Sequence, residues 1–151
     1  MIYRLVRKED FEQVYEIEKT CFVDPYPRQQ LEYEFSGNPL NKIIVAVDDD
    51  KVVGFIDFMI TFNSATIIQV AVIEEYRKQG IASNLLEEME NSFPKNIDDI
   101  VESITLEVRK SNVPAINLYK KNGYEFIVEK KHYYSDGEDA LYLVKRVGLC
   151  Q

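Results

Sequence analysis

A basic loop that contains a glycine is the part of this sequence whose residues and spacing best fit a chemical task. It follows an apolar segment that ends with Val70, Ala71 and Val72. The loop and the start of the next segment consist of Arg77, Lys78, Gln79, Gly80, Ile81 and Ala82. Glycine lets a ligand approach the backbone closely, and the first turn of a helix presents N–H groups with partial positive charge. The pattern predicts a pyrophosphate cradle, although an ordinary strand-to-helix turn with a solvated basic pair would have the same residues.

Other common kinds of site are disfavoured by the rest of the sequence. The loop has neither GxGxxG nor GxxxxGK[ST], the fingerprints of Rossmann dinucleotide sites and of P-loop NTPases. The single histidine, His132, excludes a site built from several histidines and disfavours a hydrolase triad. Cys21 and Cys150 lie far apart and lack metal-type spacing, so we expect two free thiols and no bound metal.

The composition indicates one globular domain that spans residues 1–151. The chain has 18 Lys and Arg against 26 Asp and Glu, a formal charge of −8, and 46% apolar residues. Such a chain buries enough apolar surface to fold, which excludes extensive disorder. The negative charge disfavours nucleic acid as a partner and suits a basic peptide better. We find no signal peptide and no apolar run near the roughly 20 residues of a membrane span, so we expect a cytoplasmic protein without a membrane partner.

The apolar patterning predicts the element order β-α-α-β-β-β-α-β-α-β-β. Strands are predicted at residues 2–7, 42–47, 52–61, 66–72, 103–108, 124–134 and 140–145. Helices are predicted to begin near Phe11, around Leu31, after Gly80 and at a cap formed by Asn112, and Gly123 is predicted to end the last one. Strands outnumber helices and three of them meander, which indicates an α+β sheet with helices on its faces.

The segment Arg77-x-x-Gly80-x-Ala82 after an apolar strand resembles motif A of the GNAT N-acetyltransferases, usually written [QR]-x-x-G-x-[GA]. In that family this loop holds the pyrophosphate of acetyl-CoA. The predicted element order also matches the family fold over essentially the whole chain. The resemblance implies the GNAT fold, a central mixed, mostly antiparallel sheet of about seven strands with about four helices on its faces. It also implies acetyl-CoA as co-substrate and direct transfer without an acyl-enzyme.

Three further motifs resemble the RimI-type branch of the family, which acetylates the N-terminal alanine of a small-subunit ribosomal protein. The longest covers Leu106-Glu107-Val108-Arg109-Lys110-Ser111-Asn112, Ala115-Ile116-Asn117-Leu118-Tyr119 and Asn122-Gly123-Tyr124. Another, Cys21-Phe22-x-x-Pro25-Tyr26, resembles the C-F-x-x-P-W loop of the branch. The last is Tyr133-Tyr134 followed by Asp136-Gly137-Glu138-Asp139-Ala140. The resemblance implies a protein N-terminus or peptide as acceptor, a ribosomal protein among the candidates, and a monomer or weak dimer.

Two side chains are assigned to the transfer step by this resemblance. Glu107 matches the general base of the branch, and Tyr119 matches the general acid that protonates the CoA sulfur. An α-amine with a pKa near 7.7–8.0 gives up its proton to a carboxylate more readily than a lysine near 10.4. On local pattern alone, Glu107 would be a solvated carboxylate and Tyr119 a core tyrosine.

The remaining assignments concern acetyl-CoA and the acceptor. The resemblance places Asn112 on the CoA chain, in addition to its role as a helix cap. The backbone of residues 70–72 is assigned to the pantetheine, and a backbone N–H there to polarising the thioester carbonyl. The peptide groove is assigned to Tyr26, Tyr133 and Tyr134. Because the chain has 10 tyrosines, an ordinary structural role for each of these three stays open.

Departures from the branch pattern concern the acceptor more than the cofactor. Tyr26 stands where the branch has Trp, Gln69 where Asn is common, and Ala82 where Gly is usual. Glu74 and Glu75 precede the basic loop, and we expect both to point outward. Two alternatives stay open: a GNAT enzyme for a lysine side chain or small amine, and a non-catalytic acyl-CoA-binding regulatory module.

Overall fold

The computed structural model describes residues 1–148, and Cys150 lies outside them. Over this range the chain forms seven strands and four α-helices. The strands are β1 (Ile2–Leu5), β2 (Asn41–Asp48), β3 (Lys51–Thr61), β4 (Ser64–Val72), β5 (Ser103–Arg109), β6 (Glu125–Lys130) and β7 (Ala140–Arg146). The helices are α1 (Phe11–Cys21), α2 (Arg28–Ser36), α3 (Ile81–Asn91) and α4 (Val113–Lys121). The predicted order of elements is therefore confirmed.

The strands form one sheet in the order β1-β2-β3-β4-β5-β7-β6. Pairing is antiparallel between β1 and β2, between β2 and β3, between β5 and β7, and between β6 and β7. The pairing of β4 with β5 is parallel and joins residues 64–66 to residues 103–105. This mixed, mostly antiparallel sheet with four helices confirms the predicted fold class.

Two compact units make up the chain. The first comprises residues 1–59 and 68–92, and the second comprises residues 60–67 and the chain from residue 93 onward. The core of the first unit brings apolar side chains of α1 and α2 onto those of the strands: Val14, Ile17, Leu31, Ile43, Val45, Val47, Val52, Phe55 and Ala71. In the second unit the buried apolar side chains include Ile104, Leu106, Val108, Ile116, Tyr124 and Leu143.

Helix α4 begins and ends where local sequence signals predict. The Asn112 side chain accepts a hydrogen bond from the Ala115 N–H at 3.3 Å, and Pro114 lies in the first turn. Gly123 follows the helix with a φ of +96°, a conformation that glycine adopts without a Cβ penalty. These two ends fix the position of Tyr119 between them.

The strand predicted at residues 124–134 is wrong at its C-terminal end. Strand β6 ends at Lys130, and His132 has a φ of +52°. The His132 N–H donates to Oδ1 of Asp139 at 2.9 Å, so this backbone group bonds within the loop between β6 and β7. His132 is exposed and lies in a turn rather than a strand.

Strand β6 lies at one end of the sheet order and carries exposed apolar side chains. Phe126, Ile127 and Val128 are each about half exposed. The pairing register with β7 shifts between Phe126 and Val128, so Ile127 is an extra residue in the ladder. Among the described residues, no helix is long and apolar enough to cross a membrane.

Candidate active site

The loop after β4 has the geometry of an anion-binding turn. A single 3₁₀ turn, Glu74–Tyr76, follows the strand, and α3 begins at Ile81. Gly80 caps α3 with a φ of +81°, and a Cβ built there would meet no atom within 4 Å. The first turn of α3 carries no acidic side chain. Gly80 has no side chain that could accept a hydrogen bond from the first N–H groups of α3, and the space beside it is open. These N–H groups are therefore available to an anionic ligand.

The basic side chains of this loop differ in their surroundings. Arg77 Nε–H donates to the Val72 carbonyl at 2.8 Å, so this side chain also fixes the loop to the end of β4. Lys78 is exposed and has a φ of +63°. Glu74 and Glu75 are exposed, which confirms the expectation that they point outward.

The end of β4 lies close to the backbone of β3 in the first unit. A Cβ on Gly54 would lie 2.8 Å from the Ala71 carbonyl oxygen, so only glycine fits there without a shift of backbone. The Ile73 N–H donates to the Val53 carbonyl at 2.9 Å. The side chains of Ala71 and Val72 are buried. The side chains of these two residues therefore belong to the core, and the assignment of residues 70–72 to the pantetheine stays a prediction.

The loop between α1 and α2 is attached to the interior through Glu18. One oxygen of Glu18, Oε1, accepts from the Tyr26 N–H at 2.8 Å and from Nε2 of Gln69 at 2.7 Å. Glu18 is fully buried, and burial raises its pKa. Burial, together with nearby carboxylates, also raises the pKa of Tyr26. Tyr26, which is predicted to contact the acceptor peptide, is thus half-buried, and the hydrogen bond from its backbone N–H to Glu18 fixes its position.

Glu18 and Asp57 form a buried acid cluster in the first unit. Asp57 on β3 is fully buried, and burial raises its pKa from 3.8 to about 8. The nearby charges of Glu34 and Glu18 also raise this pKa, and the Asn41 side chain lowers it by a smaller amount. Both Asp57 oxygens, Oε2 of Glu18 and Oε1 of Gln69 are buried, and among the described residues none of them makes a hydrogen bond of good geometry. The cluster is rich in acceptors and poor in donors.

In the second unit, Glu107 lies on β5 with its side chain 21% exposed. Lys130 Nζ donates to Oε1 of Glu107 at 2.9 Å. Tyr142 of β7 is paired directly with Glu107. Burial, and to a smaller extent the charge of Glu107, raises the pKa of Tyr134 to about 12. Glu107 is therefore a partly exposed carboxylate among tyrosines and one lysine.

Tyr119 is 7% exposed on α4. Burial, with a smaller effect of Tyr134, raises its pKa, so the hydroxyl stays protonated at neutral pH. Its ring packs edge-to-face on that of Tyr124, with centroids 5.5 Å apart. A buried phenol that keeps its proton is able to donate it, and the same packing also suits a core tyrosine.

The loop between β6 and β7 is held by charged side chains. Arg109 donates to Asp136 at 2.9 Å and to Glu138 at 3.0 Å, and its guanidinium lies 4.1 Å from the ring centroid of Tyr134. Tyr133 packs edge-to-face on Tyr134, with centroids 5.0 Å apart. The Asp-Gly-Glu-Asp motif thus fixes the two predicted acceptor tyrosines beside the end of β5.

Sequence reasoning did not identify Glu18, Asp57 or Lys130 as members of a site. Two of these residues have sequence features that could have identified them. Glu18 stands four residues after Val14 on the buried face of α1, and Asp57 is the only acid in β3, with apolar residues directly before and after it. Lys130 had none, because a lysine near a strand end is ordinary. Among the described residues, no group of His, Cys, Asp and Glu has the arrangement of a metal site.

Comparison with known proteins agrees with this geometry. The pattern of the Acetyltransferase (GNAT) family matches residues 11–124. A Saccharolobus solfataricus protein named N-alpha-acetyltransferase is 36% identical, with 95% of this chain and 90% of that protein covered. The Escherichia coli [ribosomal protein bS18]-alanine N-acetyltransferase is 27% identical, with 93% of each covered. A crystal structure of the ribosomal-protein-S18-alanine N-acetyltransferase from Escherichia coli superposes with a TM-score of 0.83 at 23% identity, covering 99% of this chain and 96% of that one.

The sheet order, the glycine turn that opens α3 and these similarities define an acyltransferase with acetyl-CoA as donor. The chain belongs to the GNAT acetyltransferase family, and it is an acetyl-CoA-dependent N-acetyltransferase. The resemblance read from motif A is thereby confirmed.

Proposed function

We propose that this enzyme transfers acetyl from acetyl-CoA to the α-amine of a protein N-terminus, with the N-terminal alanine of a small-subunit ribosomal protein as the model acceptor. Glu107 is the general base and Tyr119 the general acid. The observation that carries the proposal is the partly exposed Glu107 carboxylate beside tyrosines that the β6–β7 loop holds in place. The relatives named for N-terminal acetylation support this class of acceptor. We propose that residues 1–151 act as one acetyltransferase domain.

Acetyl-CoA supplies the acetyl group as a thioester. Its pyrophosphate fits the loop of Arg77, Lys78, Gln79, Gly80, Ile81 and Ala82, because the space at Gly80 is open and the first turn of α3 is free of acids. Residues 70–72 would bind the pantetheine through backbone groups. Asn112 would contact the CoA chain while its Oδ1 caps α4.

The transfer divides its proton movements between two residues. Glu107 takes the proton of the attacking amine, directly or through one water, as the N–C bond forms. Tyr119 gives its proton to the sulfur as the C–S bond breaks. An α-amine with a pKa of about 7.7–8.0 needs less help from a carboxylate than a lysine near 10.4, which favours the N-terminal acceptor.

Contacts with the acceptor peptide are assigned to Tyr26 in the first unit and to Tyr133 and Tyr134 in the second. Each is held by its surroundings: Tyr26 through Glu18, and the tyrosine pair through Arg109 and the loop acids. Rigid tyrosines present large contact area at low entropic cost. This anchoring supports a role in peptide recognition.

The test is acetylation of one peptide that begins with a free alanine and contains one internal lysine, read by mass spectrometry. We expect acetyl on the N-terminal alanine, with Glu107→Gln and Tyr119→Phe each lowering kcat by roughly 10²–10⁴-fold. Tyr33→Phe is the control, because Tyr33 is an exposed tyrosine of α2 without an assigned role, and it should act within about twofold of the wild type.

Two other outcomes would redirect the assignment. Acetyl on the lysine would keep the fold and the donor but overturn the acceptor. Acetyl-CoA binding without transfer to this peptide or to a panel of small amines would favour a regulatory module. Full activity in Glu107→Gln would remove Glu107 as the base.

A further inference from the structure

Lys130 forms an ion pair with the proposed base from a different strand. Its Nζ donates to Oε1 of Glu107 at 2.9 Å, with the two side chains 38% and 21% exposed. The donor lies on β6 and the acceptor on β5, and β7 lies between these strands. The pair therefore crosses one strand of the sheet.

The Lys130 side chain reaches Glu107 over an aromatic ring. Its Nζ lies 4.6 Å from the ring centroid of Tyr142 on β7 and 5.5 Å from that of Tyr133. A cation over an aromatic face is attracted by the ring, so these contacts restrict where the ammonium lies. The hydrogen bond to Glu107 and the charge of Glu107 raise the pKa of Lys130 against the opposing effect of burial, which keeps the ammonium charged.

A second cation on the same strand is engaged elsewhere. Arg109, two residues along β5, pairs with Asp136 and Glu138. The neighbours from the β6–β7 loop are Tyr133 and Tyr134, whose phenol side chains carry no positive charge. Lys130 thus supplies a positive charge in direct contact with the Glu107 carboxylate.

We propose that Lys130 is the positioning residue of the transfer reaction: it holds Oε1 of Glu107 and so presents Oε2 to the amine of the acceptor. The inference rests on the proposed function, in which Glu107 is the base. A glutamate has three side-chain torsions, and a displacement of about 1 Å in a reacting group costs about 100-fold in rate. Lys130 fixes those torsions by a bond to one oxygen while the other oxygen does the chemistry.

The test compares Lys130→Met with Lys130→Arg, using steady-state kinetics on the alanine peptide. We expect Lys130→Met to lower kcat about tenfold, with KM for acetyl-CoA within about twofold of the wild type. Lys130→Arg keeps the charge and the donors and should recover kcat to within about threefold. Lys110→Met is the matched control, because Lys110 makes an equally short pair, 2.9 Å, with Glu129 in the same unit.

A double-variant cycle separates this inference from the proposed function. If Lys130 acts through Glu107, Lys130→Met has little further effect in the Glu107→Gln background. An unchanged kcat in Lys130→Met, while Glu107→Gln is inactive, would overturn the inference alone. The same tenfold loss in both backgrounds would also overturn it. Full activity of Glu107→Gln would instead refute the proposed base, and the inference with it. Lys130→Gln, checked by thermal melting, replaces Lys130→Met if that variant does not fold.

Discussion

Replacing Asp57 by asparagine should stabilise the protein, and more strongly as the pH rises. Asp57 is fully buried, neither of its oxygens makes a hydrogen bond of good geometry among the described residues, and its pKa is raised from 3.8 to about 8. Between these pH values the folded state holds a proton that the unfolded chain has released. The free energy of unfolding therefore falls as the pH rises through this window.

The size of the effect follows from the width of the window. Each pH unit is worth about 1.4 kcal/mol, which gives an upper limit of roughly 5 kcal/mol at pH 8. The effective dielectric constant of a protein interior is higher than that of a fully dry medium, so the actual effect is smaller. We therefore expect Asp57→Asn to raise the free energy of unfolding by roughly 2–3 kcal/mol at pH 8 and by less than about 1 kcal/mol at pH 5. Asparagine also adds N–H donors to a cluster that is rich in acceptors.

Urea unfolding at pH 5.0, 6.5 and 8.0 measures this difference. Far-UV circular dichroism is the suitable signal, because the chain contains no tryptophan. Asp50→Asn removes the same charge from an exposed turn and should change the stability by less than about 0.5 kcal/mol at each pH. A variant that is no more stable than the wild type at pH 8, or a gain of the same size at pH 5 and pH 8, would refute the reasoning.

Two further substitutions test separate features. Gly80→Ala places a Cβ at a φ of +81°, so it should cost about 1 kcal/mol of stability and raise KM for acetyl-CoA more than about tenfold; an unchanged KM in steady-state kinetics would argue against a pyrophosphate at this turn. Asp10→Asn removes the charge and one acceptor oxygen from the group that accepts from Arg4 at 2.8 Å and from the Arg7 N–H at 2.7 Å, at a cost of roughly 1–3 kcal/mol at pH 7. Burial alone would raise the pKa of Asp10, but the bonds from Arg4 and Arg7 lower it overall, so its stabilisation is present above pH 3.8 and lost as the pH falls below that value. A deficit in Asp10→Asn that persists at pH 2, measured by thermal melting, would contradict this account.

The order of strands and helices was predictable because the spacing of apolar residues and the positions of capping and turn residues agree along the chain. Asn112 and Gly123 bound α4 as their residue types require. The end of β6 was not predictable, because the backbone of His132 bonds to Asp139, a residue seven positions away in the loop. Residues 124–134 contain no glycine or proline that would indicate that turn.

Part of the site was equally visible in the sequence, and part depended on the tertiary structure. The Gly80 turn is a local feature, so its motif indicates it directly. The Glu107 pair with Lys130 joins residues 23 positions apart, and the Glu18 pair with Gln69 joins residues 51 positions apart. Such partners are set by strand order and by the docking of α1, which no local pattern encodes.

The extra residue in β6 has a consequence for the behaviour of the protein at high concentration. A strand at the end of a sheet offers unpaired backbone groups to other chains, and Phe126, Ile127 and Val128 would make such an addition favourable. A β-bulge at Ile127 interrupts the regular spacing of those groups and increases the local twist. A straight strand from another molecule therefore cannot extend the ladder along all of β6, and this irregularity protects the protein against edge-to-edge aggregation.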